Sequence, residues 1–194
     1  MGRPVYAEGD ATARDRLAEA FWAQLEEIPF EQMTARGVAA AAGVNHNTFY
    51  RHFDSLEDMA ANLFDDITLA EVPPMLVAAA SQGALAEAAG NVMPDPEALR
   101  RAVLFARSGS AFLTALVREK LADAWLAAAG VHAENLSVAQ RIDADIIFGG
   151  IVAAMGDPLV QPDTTFIAQT MTRPLGQAMI STLAGFKKED PIQS

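Results

Sequence analysis

The sequence contains no cysteine and only three histidines among 194 residues. The absence of cysteine excludes a disulfide scaffold, a thiolate metal site and a cysteine nucleophile. There is also no run of 18 or more apolar residues, and no apolar segment follows a basic N-terminus. We therefore expect neither a membrane span nor secretion, and a cytoplasmic location is the expectation.

The motifs of several enzyme classes are missing as well. The chain has no HExxH, no GxSxG and no glycine-rich phosphate loop. We expect no enzymatic activity, no catalytic residues and neither a cofactor nor a metal.

The sequence is rich in apolar residues and in residues that favour helices. Hydrophobic residues make up 51% of the sequence and charged residues 20%, which provides a core and argues against disorder. Alanine is frequent while valine and isoleucine are scattered, and alanine is the strongest helix former. The composition predicts an all-α fold, and the length suits a small domain joined to a larger one.

The charge is strongly acidic overall but unevenly placed. The formal net charge of −11 argues against DNA binding, because lysine and arginine supply most of the affinity for phosphates. However, residues 32–53 contain no Asp or Glu, whereas Arg36, His46, Arg51 and His52 all lie there. Chance alone could produce such a gap, so it is suggestive only in combination with a motif.

Four helices are predicted in the N-terminal part. Apolar residues at helical spacing predict a first helix over residues 10–28, which Pro29 ends. Thr34 is a suitable N-cap for a second helix, and Gly43 suits the turn before a third at residues 45–52. Ser55 and Asp58 resemble a capping box that opens a long fourth helix, about 55–72, ended by Pro73 and Pro74.

Further helices are predicted over residues 75–89, 96–108, 110–129, 137–155 and 164–186. Segments rich in Gly, Pro, Asn and Asp separate them. Pro174 lies inside the last pattern, which predicts a kink or a split there.

The second and third helices have the spacing of a helix-turn-helix. A small residue, Ala39, lies where the two helices would cross, and Gly43 provides the turn. Val38, Val44 and Phe49 are apolar anchors. Spacing alone leaves open an ordinary helical corner.

The segment MTARGVAAAAGVNHNTFYRHFDSLEDM resembles the N-terminal signature of the TetR/AcrR family of repressors. The resemblance rests on the helix start at Thr34, the Ala-Ala-Gly-Val turn at 41–44, the Thr-Phe-Tyr core at 48–50 and Phe53. It is close over residues 12–63; beyond them only length, helix number and the family's plan agree. It implies a three-helix DNA-binding domain at 1–55, joined through helix 4 to a ligand-binding and dimerisation domain at 56–194.

The resemblance also implies which residues meet DNA. The start of the third helix would reach base edges in the major groove, and the residues around it would contact phosphates. The implied DNA-binding residues are Thr34, Arg36, Asn45, His46, Asn47, Thr48, Tyr50 and His52. Tyr50 and His52 match phosphate-binding positions, while Arg36 could contact a phosphate or a guanine.

One position departs from the family pattern. The family often has a lysine near the start of helix 4, where this chain has Leu56, and Glu57 and Asp58 follow. A phosphate contact is therefore missing, and we expect modest affinity with steep salt sensitivity. Arg3 could lie in a minor groove, although a solvated tail is the stronger alternative.

The family's last two long helices form its dimer interface, and a small-residue face suits that use here. The implied interface residues are Ile142, Ile146, Gly149, Gly150, Ala153, Leu175, Met179 and Leu183. Packing within the chain's own core is the alternative for this face.

The family's ligand pocket lies inside the C-terminal domain and is largely apolar. The candidate residues are Leu63, Ile67, Phe105, Phe112, Trp125, Phe148 and Met155. For each of them, plain core packing is the alternative. Arg141 and Asp145 are interpreted as a surface ion pair rather than a ligand clamp.

Together these features predict a homodimeric transcription regulator, most often a repressor that a small-molecule effector releases from near-palindromic double-stranded operator DNA. The alternative is a helical small-molecule-binding or scaffolding protein without operator binding, which the acidic balance and Leu56 favour. The acid-free segment 32–53 argues against that alternative.

Overall fold

The computed structural model describes residues 12–67, 72–91, 95–160 and 164–186. These residues form α-helices and two short 3₁₀ turns, and they include no strand, so the predicted all-α fold is confirmed. Two compact units are present, and the boundary between them falls after Leu63.

The described residues of the N-terminal unit form three helices and most of a fourth. They are α1 (Ala13–Glu27), α2 (Ala35–Ala41), α3 (His46–Phe49) and α4 (Leu56–Asp65). A capping box begins α1: the backbone N–H of Asp15 donates to the Thr12 hydroxyl oxygen, and the Asp15 carboxylate accepts from the backbone N–H of Thr12. The hydrogen bond from the Thr12 hydroxyl lowers the pKa of the Asp15 carboxyl.

The core of this unit contains both aliphatic and aromatic residues. The predicted inner face of α1 is buried at Leu17, Phe21 and Leu25. The Phe21 ring meets Phe30 edge-on with centroids 6.4 Å apart. Phe49, the last residue of α3, is also buried, and its ring lies beside that of Phe53 with centroids 5.7 Å apart.

The third and fourth helices are shorter than predicted. The helical part of α3 ends at Phe49 instead of continuing to 52, because the next N–H groups bond three residues back, as from His52 to Phe49 at 2.9 Å. Helix α4 ends at Asp65 instead of near 72. Two acidic residues, Asp65 and Asp66, lie there, and negative charge at a helix C-terminus opposes the helix dipole.

The predicted cap of α4 is confirmed. The Asp58 N–H donates to the Ser55 hydroxyl at 3.0 Å, and the Asp54 N–H donates to the Asp58 carboxylate at 2.9 Å. This pair of bonds satisfies two N–H groups at the helix start.

Beyond the end of α4, the described residues of the C-terminal unit form seven helices. They are α5 (Val72–Ser81), α6 (Leu85–Gly90), α7 (Pro96–Arg107), α8 (Ala111–Ala128), α9 (Val138–Gly156), α10 (Thr164–Thr172) and α11 (Pro174–Ala184). The break predicted at Pro174 is present between α10 and α11.

Two boundaries differ from the prediction. Pro73 and Pro74 lie in the first turn of α5 instead of marking the end of α4, because the N–H groups of a first turn have no partner inside the helix and their loss costs little. The single helix predicted over 75–89 is two helices, separated by Gly83 with a φ of +71°. That left-handed conformation ends α5.

The core of the C-terminal unit lies among α5, α8, α9 and α11. Leu76, Trp125, Phe148 and Leu183 are among its buried residues. The Arg107 side chain, in the last turn of α7, donates to the backbone carbonyls of Met155, Asp157 and Val160. These hydrogen bonds connect α7 to the end of α9 and to the residues after it.

Candidate DNA-binding surface and ligand cavity

A tight turn and small buried residues at the junction of α2 and α3 allow the two helices to pack closely. Val38 and Ala39 are buried on the inner face of α2. Gly43 turns the chain with a φ of +63°, and the Val44 N–H donates to the Ala39 carbonyl at 3.0 Å. A side chain larger than alanine at position 39 would push the helices apart, as the sequence predicted from its spacing.

Two side chains cap these helices with their oxygen atoms. The Thr34 hydroxyl accepts from the Gly37 N–H at 3.0 Å, and the side-chain Oδ1 of Asn45 accepts from the backbone N–H of Asn47 at 2.8 Å. Capping therefore fixes the orientation of both side chains. The Asn45 amide group keeps its two N–H donors for another acceptor.

The outer side of α3 is polar. Phe49 is fully buried, which turns His46, Asn47 and Tyr50 toward solvent. The His46 and Tyr50 rings meet edge to face, with centroids 5.0 Å apart. Tyr50 is 51% exposed although it is a large aromatic residue.

The structure brings the predicted DNA-binding residues onto the surface of the N-terminal unit. Thr48 is half-buried, and the remaining ones are exposed: Thr34, Arg36, Asn45, His46, Asn47, Tyr50 and His52. The sequence prediction did not include Arg51, which is exposed beside Tyr50. Its charge within the acid-free segment was the signal that could have identified it.

The start of α4 is acidic. Leu56 is half-buried, Glu57 is exposed, and the Asp58 carboxylate is engaged by the Asp54 N–H. No cation of this segment replaces the lysine that the family often has there.

Three helices with a buried small residue, a glycine turn and an exposed polar third helix define a helix-turn-helix DNA-binding domain. Residues 17–63 match the family model of the bacterial regulatory proteins of the tetR family. The N-terminal unit therefore contains a segment that matches the DNA-binding domain of this family, and the resemblance seen in the sequence is confirmed over these residues.

The family match ends at residue 63, so it covers the N-terminal unit and not the C-terminal unit. Searches of curated proteins and of solved structures gave no match to the chain. The family consists of regulatory proteins rather than enzymes. Of the helices that the structure describes, none has the length and apolar character needed to cross a membrane.

The C-terminal unit contains a cavity of about 260 Å³. Its wall is mostly apolar and comes from the end of α4, from the residues just after it, and from α5, α7, α8, α9 and α10. Residues on this wall include Ile67, Leu99, Trp125, Ile151, Met155 and Met171. Three of the candidate ligand-binding residues, Ile67, Trp125 and Met155, are among them.

The other four candidates lie elsewhere. Phe105 is fully buried and packs against the Phe64 ring, with centroids 5.7 Å apart. Phe148 and Leu63 are also core residues, the second in the N-terminal unit. Phe112 lies in the first turn of α8 and is 40% exposed, outside the lining of the cavity.

One ion pair lies on the cavity wall, and the sequence prediction did not include it. The Lys120 ammonium on α8 is 2.5 Å from the carboxylate of Asp65, the last residue of α4. The two residues are 55 positions apart in the chain, so no spacing rule would have connected them.

An exposed apolar stripe follows α9. Val138, Ile142 and Ile146 lie four residues apart and are 76%, 54% and 68% exposed. A Cβ atom added to Gly149 or Gly150 would touch nothing within 4 Å, so no residue in the described part of the chain covers the stripe there. Ala153 continues the exposed face.

The candidate interface residues on α11 divide into two kinds. Leu175 is exposed and Met179 is partly buried, but Leu183 is only 2% exposed and belongs to the chain's own core.

Arg141 and Asp145 do not pair with each other. Asp145 lies 3.5 Å from Arg118, and Arg141 donates to the backbone carbonyls of Glu134 and Leu136.

Proposed function

We propose that the chain is a ligand-responsive repressor that binds operator DNA through α3 as a homodimer and is released when a small molecule enters the C-terminal cavity. The observation that carries the proposal is the polar, acid-free surface of α2 and α3 within a TetR-family domain. The match of residues 17–63 supports the regulator class, and we propose repression, dimerisation and ligand release in addition. Because operator DNA lies in the bacterial cytoplasm, we propose that location too.

On the DNA-binding surface, side-chain chemistry assigns each group a role. His46 and Asn47, in the first turn of α3, would read base edges, since imidazole and amide groups can donate and accept hydrogen bonds there. Tyr50, Arg51 and His52 would contact phosphates, which fix the register without reading sequence. Thr34 and Arg36 would contact the backbone from the start of α2.

The dimer is supported by the apolar stripe of α9. Three exposed branched residues one turn apart, followed by glycines with open space above them, form a surface that a second helix can approach closely. We propose that the stripe packs on the same stripe of a second copy, with Leu175 and part of Met179 beside it. A twofold dimer would present two copies of α3, which would require half-sites about 34–36 Å apart and thus a near-palindromic operator.

The test measures binding of the purified full chain to the DNA upstream of its own gene by fluorescence anisotropy, against an unrelated duplex of equal length. We expect tighter binding to the upstream DNA and a steep loss of affinity with added salt. Equal binding to both duplexes would contradict operator recognition.

One observation favours a second candidate function. The acidic start of α4, with Leu56, Glu57 and Asp58, weakens attraction for phosphate and suits a helical small-molecule-binding protein without operator binding. In the anisotropy experiment, that protein would bind neither duplex at low salt.

A further inference from the structure

The wall of the C-terminal cavity is apolar except at one place. Among its described lining residues, Asp65 and Lys120 are the charged ones, and they form the 2.5 Å ion pair with each other. A ligand inside the cavity would therefore meet hydrocarbon, aromatic and thioether surface on most sides. Among the lining residues that the structure describes, its charge-specific contact would be with this pair.

The two partners of the pair differ in their contact with water. The Lys120 side chain is 31% exposed and the Asp65 side chain is 60% exposed. If a ligand separated the pair, water could solvate the carboxylate more fully than the ammonium. Loss of its partner therefore costs Lys120 more than Asp65.

This asymmetry selects the charge of the ligand. A cationic ligand would pair with Asp65 and leave the more buried Lys120 without a partner. An anionic ligand would pair with Lys120 and leave only the more exposed Asp65 to be solvated. Charge-assisted hydrogen bonds from an ammonium to a carboxylate are among the stronger polar contacts in proteins.

We propose that this cavity binds an apolar monocarboxylate, whose carboxylate replaces that of Asp65 on Lys120 while its hydrocarbon part occupies the space beside Trp125 and Met155. The proposal deepens the proposed function and rests on it in one respect, namely that the C-terminal unit is the sensor. It adds the chemical class of the effector and the residue that recognises its charge.

The size of the cavity limits the ligand. An apolar cavity of about 150 Å³ accepts benzene, so a cavity of about 260 Å³ has room for about ten non-hydrogen atoms. A straight-chain acid of eight carbons has that size.

Displacement of Asp65 also has a consequence for α4. Asp65 ends that helix, where a negative charge opposes the helix dipole, and the last turn of α4 contains no basic residue. Lys120 offsets this charge in the ligand-free protein. A ligand that takes Lys120 removes this compensation, so the last turn of α4 is less stable in the complex.

The test is isothermal titration calorimetry of the full chain at neutral pH with octanoate, octanamide and octylamine. These three probes share one hydrocarbon chain and differ in the charge of the head group. We expect octanoate to bind about tenfold more tightly than octanamide, and octylamine to bind most weakly. Octylamine binding more tightly than octanoate, or no binding of octanoate, would overturn the proposal.

Two variants locate the charge effect. Lys120→Met keeps most of the apolar stem and should remove the preference for octanoate over octanamide. Asp65→Asn removes the competing carboxylate and should strengthen octanoate binding several-fold while leaving octanamide unchanged. If Lys120→Met does not fold, Asp65→Asn alone decides, and unchanged octanoate affinity in that variant contradicts the exchange of partners.

The matched control is Arg118→Met. It removes a cation from the same helix, and its partner is Asp145 outside the cavity. It should leave the binding of all three probes unchanged; a loss equal to that of Lys120→Met would mean that general charge, not Lys120, governs binding. DNA binding without any ligand is measured separately, so failure of the acid proposal and failure of the operator proposal give different results.

Discussion

The imidazole of His46 contacts the ring of Tyr50 edge to face across one turn of α3, with centroids 5.0 Å apart and planes 85° apart. The contact holds two different kinds of DNA-binding group in one arrangement on an exposed surface. The side chain proposed to read bases is thus positioned by the side chain proposed to bind phosphate.

Substitutions at these two positions should separate the roles. Tyr50→Phe keeps the ring contact and removes only the hydroxyl, so it should weaken binding to upstream and unrelated DNA alike, about two- to tenfold. His46→Ala or Asn47→Ala should reduce the discrimination between the two DNAs instead. The measurement is anisotropy with both duplexes, and equal losses on both for all three variants would contradict the assignment.

The left-handed turn at Gly43 gives a prediction about stability. A Cβ atom there would touch nothing within 4 Å, so the cost of Gly43→Ala comes from the φ of +63° alone. We expect the free energy of unfolding to fall by about 1 kcal/mol. Gly43→Asn is the matched control and should lose less, because asparagine tolerates this conformation; urea denaturation of both variants tests the order.

The surface network of α7 gives a pH dependence. Hydrogen bonds from Arg100, then from Arg101, lower the pKa of Glu97 to about 2. Because the folded-state pKa of Glu97 lies below its unfolded value, the contacts of its carboxylate with Arg100 and Arg101 stabilise the fold above about pH 4.5. This contribution disappears as the pH falls toward 2. Glu97 is half-exposed, so we expect less than about 1 kcal/mol. Urea denaturation should give different free energies of unfolding for Glu97→Gln and the wild type at pH 7, and similar values near pH 2. An equal difference at the two pH values would contradict the assignment.

The stripe of α9 gives a prediction about assembly. Gly150→Arg should produce a helical monomer, because a long charged side chain would occupy the surface proposed to contact a second copy. Ala127→Arg on α8 is the control, since it adds the same side chain at an exposed position of a different helix. Sedimentation of both variants tests this, and an unchanged dimer of Gly150→Arg would place the interface elsewhere.

Local chemistry explains which features the sequence could predict. The Thr34 and Ser55 caps, the Gly43 turn and the split at Pro174 each depend on a few adjacent residues, and all are present. The break at Gly83 was not predicted because alanine on both sides continues a helical pattern. The Asp65–Lys120 pair was not predicted because tertiary packing alone brings residues 55 positions apart together.

The last prediction compares two buried aliphatic residues near the end of α4. Ile67 and Leu63 have similar burial, but Ile67 lines the C-terminal cavity and Leu63 is a core residue of the N-terminal unit. Both Ile67→Ala and Leu63→Ala should lower the free energy of unfolding by about 2–5 kcal/mol, because each removes buried hydrocarbon. Only Ile67→Ala enlarges the cavity and removes contacts with its occupant, so only this variant should weaken octanoate binding and ligand-dependent release from DNA. DNA affinity without ligand should change less than release does. Thermal melts, calorimetry with octanoate and DNA titrations with and without octanoate separate these effects. A lowered melting temperature with unchanged octanoate binding in Ile67→Ala would show that position 67 acts as plain core, and the cavity wall would then lose its role in sensing while the DNA-binding assignment would stand.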